Sequence, residues 1–200
     1  MKQVVNFCGM KTQIKRIGFL FAVPIGALLI SCNPLSETVS KNEIGPNGSF
    51  EHIESGLPVN WLVYTANTTG SGDFSITPDS SVSKDGAQSL LFDVKSCSSK
   101  GGRFSPGVAQ EIELNPGTYN VTFWVQNRGT AYSASAYGMS AKTKEEGISI
   151  TSHKESNDWI LESLPVTLSS ASTHLRFEFN VLSAGAIRVD HLQVERVTNH

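Results

Sequence analysis

Among the side chains that could take part in covalent chemistry, Cys32 has the most telling neighbours. Leu29-Ile30-Ser31-Cys32 puts a small residue directly before a thiol at the end of a short apolar run, the pattern that bacterial lipoprotein processing reads. The expected chemistry is transfer of a diacylglyceryl group to the thiol, cleavage before Cys32, and capping of the new amine by an N-acyl chain such as palmitate. Two acyl signals satisfy the arithmetic of stable anchoring. Upstream, Lys11, Lys15 and Arg16 form a basic n-region, and 17–30 is an uncharged apolar stretch too short to span a bilayer, which needs about 20 residues. Met10-Lys11 would make a more ordinary signal start than Met1. All 18 Asp and Glu residues lie beyond Cys32, so a signal over 1–31 precedes a chain of different composition. Asn33 stands where an Asp would resemble an inner-membrane retention signal, which favours the outer membrane and leaves periplasmic or surface orientation open.

The other reactive side chains form no catalytic constellation. Ser81-Val82-Ser83-Lys84 matches Ser-x-x-Lys but lacks the helix start and companion motifs of that chemistry. His52, His153, His174, His191 and His200 show no metal-ligand spacing, and Cys97, the only thiol after Cys32, cannot build a zinc site or an intrachain disulfide. Glu111 and Glu113 share one strand face, whereas glycosidases set two carboxylates across a cleft from separate elements. A solvated acidic edge is the expectation for them, and no enzyme is expected. Four of the 16 Lys and Arg precede Cys32, so 12 basic residues face 18 acidic ones in the processed chain, a net charge of −6 that argues against nucleic acid as a partner.

The elements that must position any site are strands. After Cys32 and a polar tether over 32–46, residues 47–196 suffice for one domain. Apolar residues there recur with period two, and no stretch keeps a helical stripe. Tyr119, Val121, Phe123 and Val125 alternate with Asn120, Thr122, Trp124 and Gln126 after an Asn115-Pro116-Gly117 turn. Leu175, Phe177, Phe179 and Val181 alternate with Arg176, Glu178 and Asn180, and Leu90, Phe92 and Val94 form a third row. Near the end, Ile187 and Val189 are in one phase and Leu192 and Val194 in the other, which predicts a bulge at Asp190-His191 that re-aims Asp190. Nine or ten short strands with turns at this spacing predict an all-β antiparallel β-sandwich of jelly-roll type.

Six segments in order, Asn47 to Glu51, Gly56 to Trp61, Lys84 to Leu90, Leu114 to Tyr119, Asp158-Trp159 and Ile187 to Glu195, resemble carbohydrate-binding modules of families four, nine and twenty-two, which share the galactose-binding-like jelly roll. The resemblance implies an oligo- or polysaccharide as ligand. It also implies a structural calcium joining the first strand to the last, with Glu51, the carbonyl of Ser49, a carbonyl around Lys84 and Asp190 as oxygen ligands of the kind calcium prefers. Modules of this fold commonly bind sugars on the concave face of one sheet, with aromatic platforms beside polar groups. That reading assigns the ligand to Trp124 and Gln126, joined by Arg176, Glu178 and Asn180 if their strands are neighbours, with Tyr132 or Tyr137 at the edge. The alternative is a solvated face with Trp124 packed under a loop. Trp61 and Trp159 occupy positions that look like packing anchors. The functional expectation is a non-catalytic, cell-envelope carbohydrate-binding lipoprotein, and the alternative is an assembly lipoprotein whose sheet docks another envelope protein.

Overall fold

The period-two rows become two five-stranded antiparallel sheets packed face to face. The computed structural model describes residues 47–140 and 143–197, so the segments around Cys32 and the tether lie outside the described residues. Among the described residues the strands are β1 (Ile53–Glu54), β2 (Leu57–Pro58), β3 (Leu62–Tyr64), β4 (Asp73–Asp79), β5 (Ser89–Ser96), β6 (Gly107–Glu113), β7 (Gly117–Arg128), β8 (Tyr132–Ser140), β9 (Thr143–Ser152), β10 (Ser156–Leu168), β11 (His174–Val181) and β12 (Gly185–Arg196). A single helical turn, α1 (Ala66–Thr69), and one 3-10 turn over Gly102–Phe104 are the helical elements. One sheet has the order β10-β7-β12-β5-β4 and the other β3-β6-β11-β8-β9, while β1 and β2 form a small hairpin.

The core lies where the inner rows meet. Val121, Phe123 and Val125 of β7 and Leu175, Phe177, Phe179 and Val181 of β11 are fully buried, as are Leu90 and Phe92 of β5. Phe123 packs on Phe177 at 5.2 Å between ring centroids, and Phe179 touches Phe92 at 5.5 Å and stacks on Tyr132 at 5.4 Å. Full burial of each such ring stabilises the fold by about 1.5–3 kcal/mol. Trp61 anchors the base of this cluster, with its ring 4.9 Å from that of Phe50 and its indole N–H donated to the carbonyl of Asn47. The sequence places it as an anchor, and it is one.

The phase change in the last strand is a true bulge. β12 pairs with β7 as Asp190↔Trp124 and then resumes as Gln193↔Thr122, a register shift that lets Val189 and Leu192 both point into the core. His191, inside the bulge, takes a left-handed backbone with φ 52°. Asp190 is thereby fully buried and turned toward the segment that precedes β5.

Candidate functional site

Alternation fixes which side chains leave the core, and topology decides which of them meet. Trp124 and Gln126 point outward from β7, while Arg176, Glu178 and Asn180 point outward from β11, and these strands belong to different sheets. The two halves of the expected patch therefore lie on opposite outer faces of the sandwich. This corrects the single composite site.

The Trp124 half is engaged internally. The Lys84 ammonium stands 3.9 Å from the Trp124 ring centroid, where a sugar would have to stack. Gln126 is buried, donating through Nε2 to the carbonyl of Asn157 at 2.6 Å and accepting from Arg188 at 3.2 Å. Arg188 is itself held by Asp79, with Nε and Nη2 each 2.7 Å from Oδ2. Burial pulls the Asp79 carboxyl upward, but hydrogen bonds from Ser81 and Arg188 outweigh it and hold the group below its ordinary value. On this face the ring is capped and the network beside it is paired and mostly buried; on the β11 face Tyr137 is likewise buried and carries the Lys144 ammonium 4.1 Å from its ring centroid.

The β11 half carries a convergent polar cluster. Arg176 is flanked in register by Glu111 of β6 and Tyr137 of β8, and Glu178 by Ala109 and Ser135. The guanidinium donates to Glu111 and, at 2.6 Å, to the hydroxyl of Tyr64, while its Nε lies 3.5 Å from Glu178. Tyr137 donates its hydroxyl to Glu178 at 3.4 Å. Burial, then the Glu178 charge, raises the Tyr64 phenol above its ordinary value; burial likewise leads in raising Tyr137. Both phenols therefore stay protonated donors at neutral pH. The Arg176 guanidinium is raised further by Tyr64, Glu111 and Glu178 despite its burial, so it remains a fixed cation.

Small residues make room for this cluster. Gly107, opposite Asn180, has no space for a Cβ, which would meet the Phe179 carbonyl at 2.5 Å and Tyr64 Cδ2 at 3.2 Å. Ala109, Ser133 and Ser135 continue a strip of small residues alongside the cluster, Ala109 fully buried and the two serines half-buried. Asn180 is committed elsewhere: its side chain accepts from the Gly102 N–H at 3.0 Å and donates to the Gly102 carbonyl at 3.2 Å. It thus latches the loop that carries Phe104, whose side chain is half exposed.

Two members of the cluster, Tyr64 and Glu111, are absent from the sequence-based set. The three-residue strand β3 is too short to show a period, and the partner of Glu111 appears only when β6 pairs with β11. Of the two edge candidates, Tyr137 joins the cluster and Tyr132 is core. Cys97 is half buried, and burial raises its thiol above the ordinary value, which disfavours the reactive thiolate.

The residues expected to hold calcium do converge, although as a different donor set. Asp190 Oδ2 accepts the Lys84 and Asp85 N–H groups at 2.6 and 3.0 Å, and its Oδ1 accepts the His191 N–H at 2.7 Å. Glu51 Oε1 accepts from the N–H groups of Ala87 and Gln88 at 3.0 and 3.1 Å. Ser49 donates its hydroxyl to Asp85 at 3.1 Å. Lys84 and its neighbours thus present N–H donors to the carboxylates where a calcium shell needs oxygen lone pairs facing a common point. Among the described residues no group of three or more His, Cys, Asp or Glu side chains is placed to hold a metal ion. As placed, the carboxylates of Asp190 and Glu51 face N–H donors.

No family model matches the chain, and no curated protein matches it. Its architecture is an antiparallel β-sandwich of jelly-roll type. Among solved structures it is similar to TmCBM61 in complex with β-1,4-galactotriose, at TM-score 0.56 and 20% identity over 78% of this chain and 99% of that one. It is similar also to the CBM22-1 xylan-binding domain of Paenibacillus barcinonensis Xyn10C, at TM-score 0.54 and 11% identity over 76% and 94%. The enzymatically active domain of bacteriophage CBA120 tailspike protein 4 gives TM-score 0.60 and 17% identity over 78% of this chain, which spans only 21% of that protein.

Proposed function

We propose that this chain is a non-catalytic carbohydrate-binding lipoprotein of the bacterial cell envelope that holds a glycan on the outer face of the β3-β6-β11-β8-β9 sheet. The observation that carries the reading is the Tyr64–Arg176–Glu178–Tyr137 cluster beside a strip of small residues. Sugars offer hydroxyls that act as donors and acceptors at once. A guanidinium, a carboxylate and two phenols in one patch complement both roles, and the exposed part of Tyr64 offers an apolar surface to sugar C–H groups. Glu111 and Glu178 both face the guanidinium, so neither is set across a cleft as a proton donor to a glycosidic oxygen, which supports a binding role. The lipid anchor rests on the Leu29 to Cys32 motif, and the outer-membrane site on Asn33.

A glycan array probed with the purified chain tests this reading, followed by calorimetry with the best ligand on the wild type and on Glu178→Gln. Binding that the substitution abolishes supports it, and binding by neither protein removes it. One observation favours docking to another envelope protein as the second reading: Leu161, half exposed, is paired in register with Trp124 on the other outer face.

A further inference from the structure

β3 covers only part of its neighbour. It pairs with β6 as Leu62↔Ala109, Val63↔Val108 and Tyr64↔Gly107, whereas β6 runs on to Glu113. Where the pairing stops, a cavity of about 340 Å³ is lined by Asn60, Trp61, Leu62, Ala109, Gln110 and Glu111. That size falls in the range of small-molecule sites, about 300–1,000 Å³. Its walls are held from behind. Trp61 is fixed by its indole bond to Asn47, by Phe50 and, edge to face at 6.2 Å between centroids, by Phe177, while Gln110 donates through Nε2 to the carbonyl of Asn60 at 3.3 Å. Trp61 keeps only 9% of its surface exposed, so the apolar surface on offer is Leu62, exposed to 54%. Beside it Asn60 is exposed, and the Glu111 side chain is about half exposed.

The cavity is continuous with the polar cluster of β11. Glu111 Oε1 accepts from Arg176, so this carboxylate belongs to both. Ala109 lies opposite Leu62 on one side and Glu178 on the other, which puts the three in one line across β3, β6 and β11. That line covers two strand spacings, about 10 Å. A single sugar ring does not reach from Glu178 to Leu62, and a chain of two or three rings does.

We infer that the glycan site continues over β6 to the β3 edge, where Leu62 receives the C–H face of a second or third sugar unit and Glu111 and Asn60 receive its hydroxyls. The inference rests on the glycan-binding reading of the Tyr64–Arg176–Glu178–Tyr137 cluster. The ligand is then an oligosaccharide laid across the strands, and Leu62 and Glu111 set how much of it is read. An aliphatic side chain beside a carboxylate and an amide meets both the apolar face and the hydroxyl rim of a sugar.

Calorimetry of the purified chain with fragments of one, two, three and four units, cut from the glycan that ranks first on the array, tests this. Affinity should rise about tenfold or more between one and three units. Leu62→Ser changes an exposed position and should leave the melting temperature nearly unchanged. It should remove most of the gain with length, while the one-unit fragment does not distinguish the two proteins. A gain that Leu62→Ser keeps in full, or an affinity that does not depend on length, would overturn the inference and leave the cluster reading standing. An array with no bound glycan would remove that reading and the β3-edge extension with it.

Discussion

The Lys84 ammonium lies over the face of Trp124, 3.9 Å from the ring centroid, and so occupies the flat surface on which a sugar could stack. A cation over an indole at a partly exposed position contributes about 0.5–1 kcal/mol. Lys84→Ala and Trp124→Ala should each lower the melting temperature by a few degrees while glycan affinity stays unchanged. Titration of a bound glycan against both variants decides the point: if Trp124→Ala abolishes binding, the site belongs to the β10-β7-β12-β5-β4 face after all.

Arg176 is the hub of the opposite face, contacting Tyr64, Glu111 and Glu178. Arg176→Ala should weaken glycan binding about tenfold or more, equivalent to 1.4 kcal/mol. It also leaves two carboxylates without their cation, so a stability measurement must accompany the titration. Tyr137→Phe removes one hydroxyl with the ring intact, and a loss of affinity at unchanged melting temperature would separate recognition from folding.

Much of the fold can be read from the alternating rows of β5, β7, β11 and β12, because period two states directly which side chains are buried. The bulge at Asp190 is legible for the same reason, as a change of phase. Which strands are neighbours is not. Trp124 and Arg176 each sit on an outward row, and only the sheet order, set by long-range pairing, assigns them to opposite faces. Tyr64 escapes notice because three residues carry no period. The carboxylate acceptors Asp190 and Glu51 are likewise recognisable by type, while the polarity of the backbone groups facing them depends on how the segment before β5 turns.

The Asp79–Arg188 pair should show in the acid limb of stability. The Asp79 carboxyl is held below its ordinary value in the folded state, so its contribution is present above the unfolded value of about 4 and is lost as pH falls through the folded one. Melting curves from neutral to strongly acidic pH should fall more steeply for the wild type than for Asp79→Asn. At neutral pH, Arg188→Ala should cost about 2–3 kcal/mol, less than for a fully buried pair because both side chains keep some exposure.

Gly107→Ala should destabilise the domain by about 1–3 kcal/mol, since its Cβ would press on the Asn180 side chain and the Phe179 carbonyl. The same change should weaken glycan binding by displacing Tyr64. A variant that melts like the wild type would mean that the strip has room to spare.

Processing at Cys32 makes a separate prediction. Mass spectrometry of the membrane fraction should find a mature chain beginning at an acylated Cys32, and Cys32→Ala should leave the membrane pellet. An unprocessed N-terminus would remove the anchor from the proposal.

β12 lies between β7 and β5, in the middle of its sheet, yet it is the last strand to be made. Until residue 196 has been synthesised, β7 and β5 have no partner on that side, and the inner row of Ile187, Val189, Leu192 and Val194 is missing from the core. A chain emerging from its N-terminus therefore cannot seal this sheet step by step. Any chain that stops short of β12 leaves the facing edges of β7 and β5 unpaired, two open strand edges in the middle of what should be one sheet.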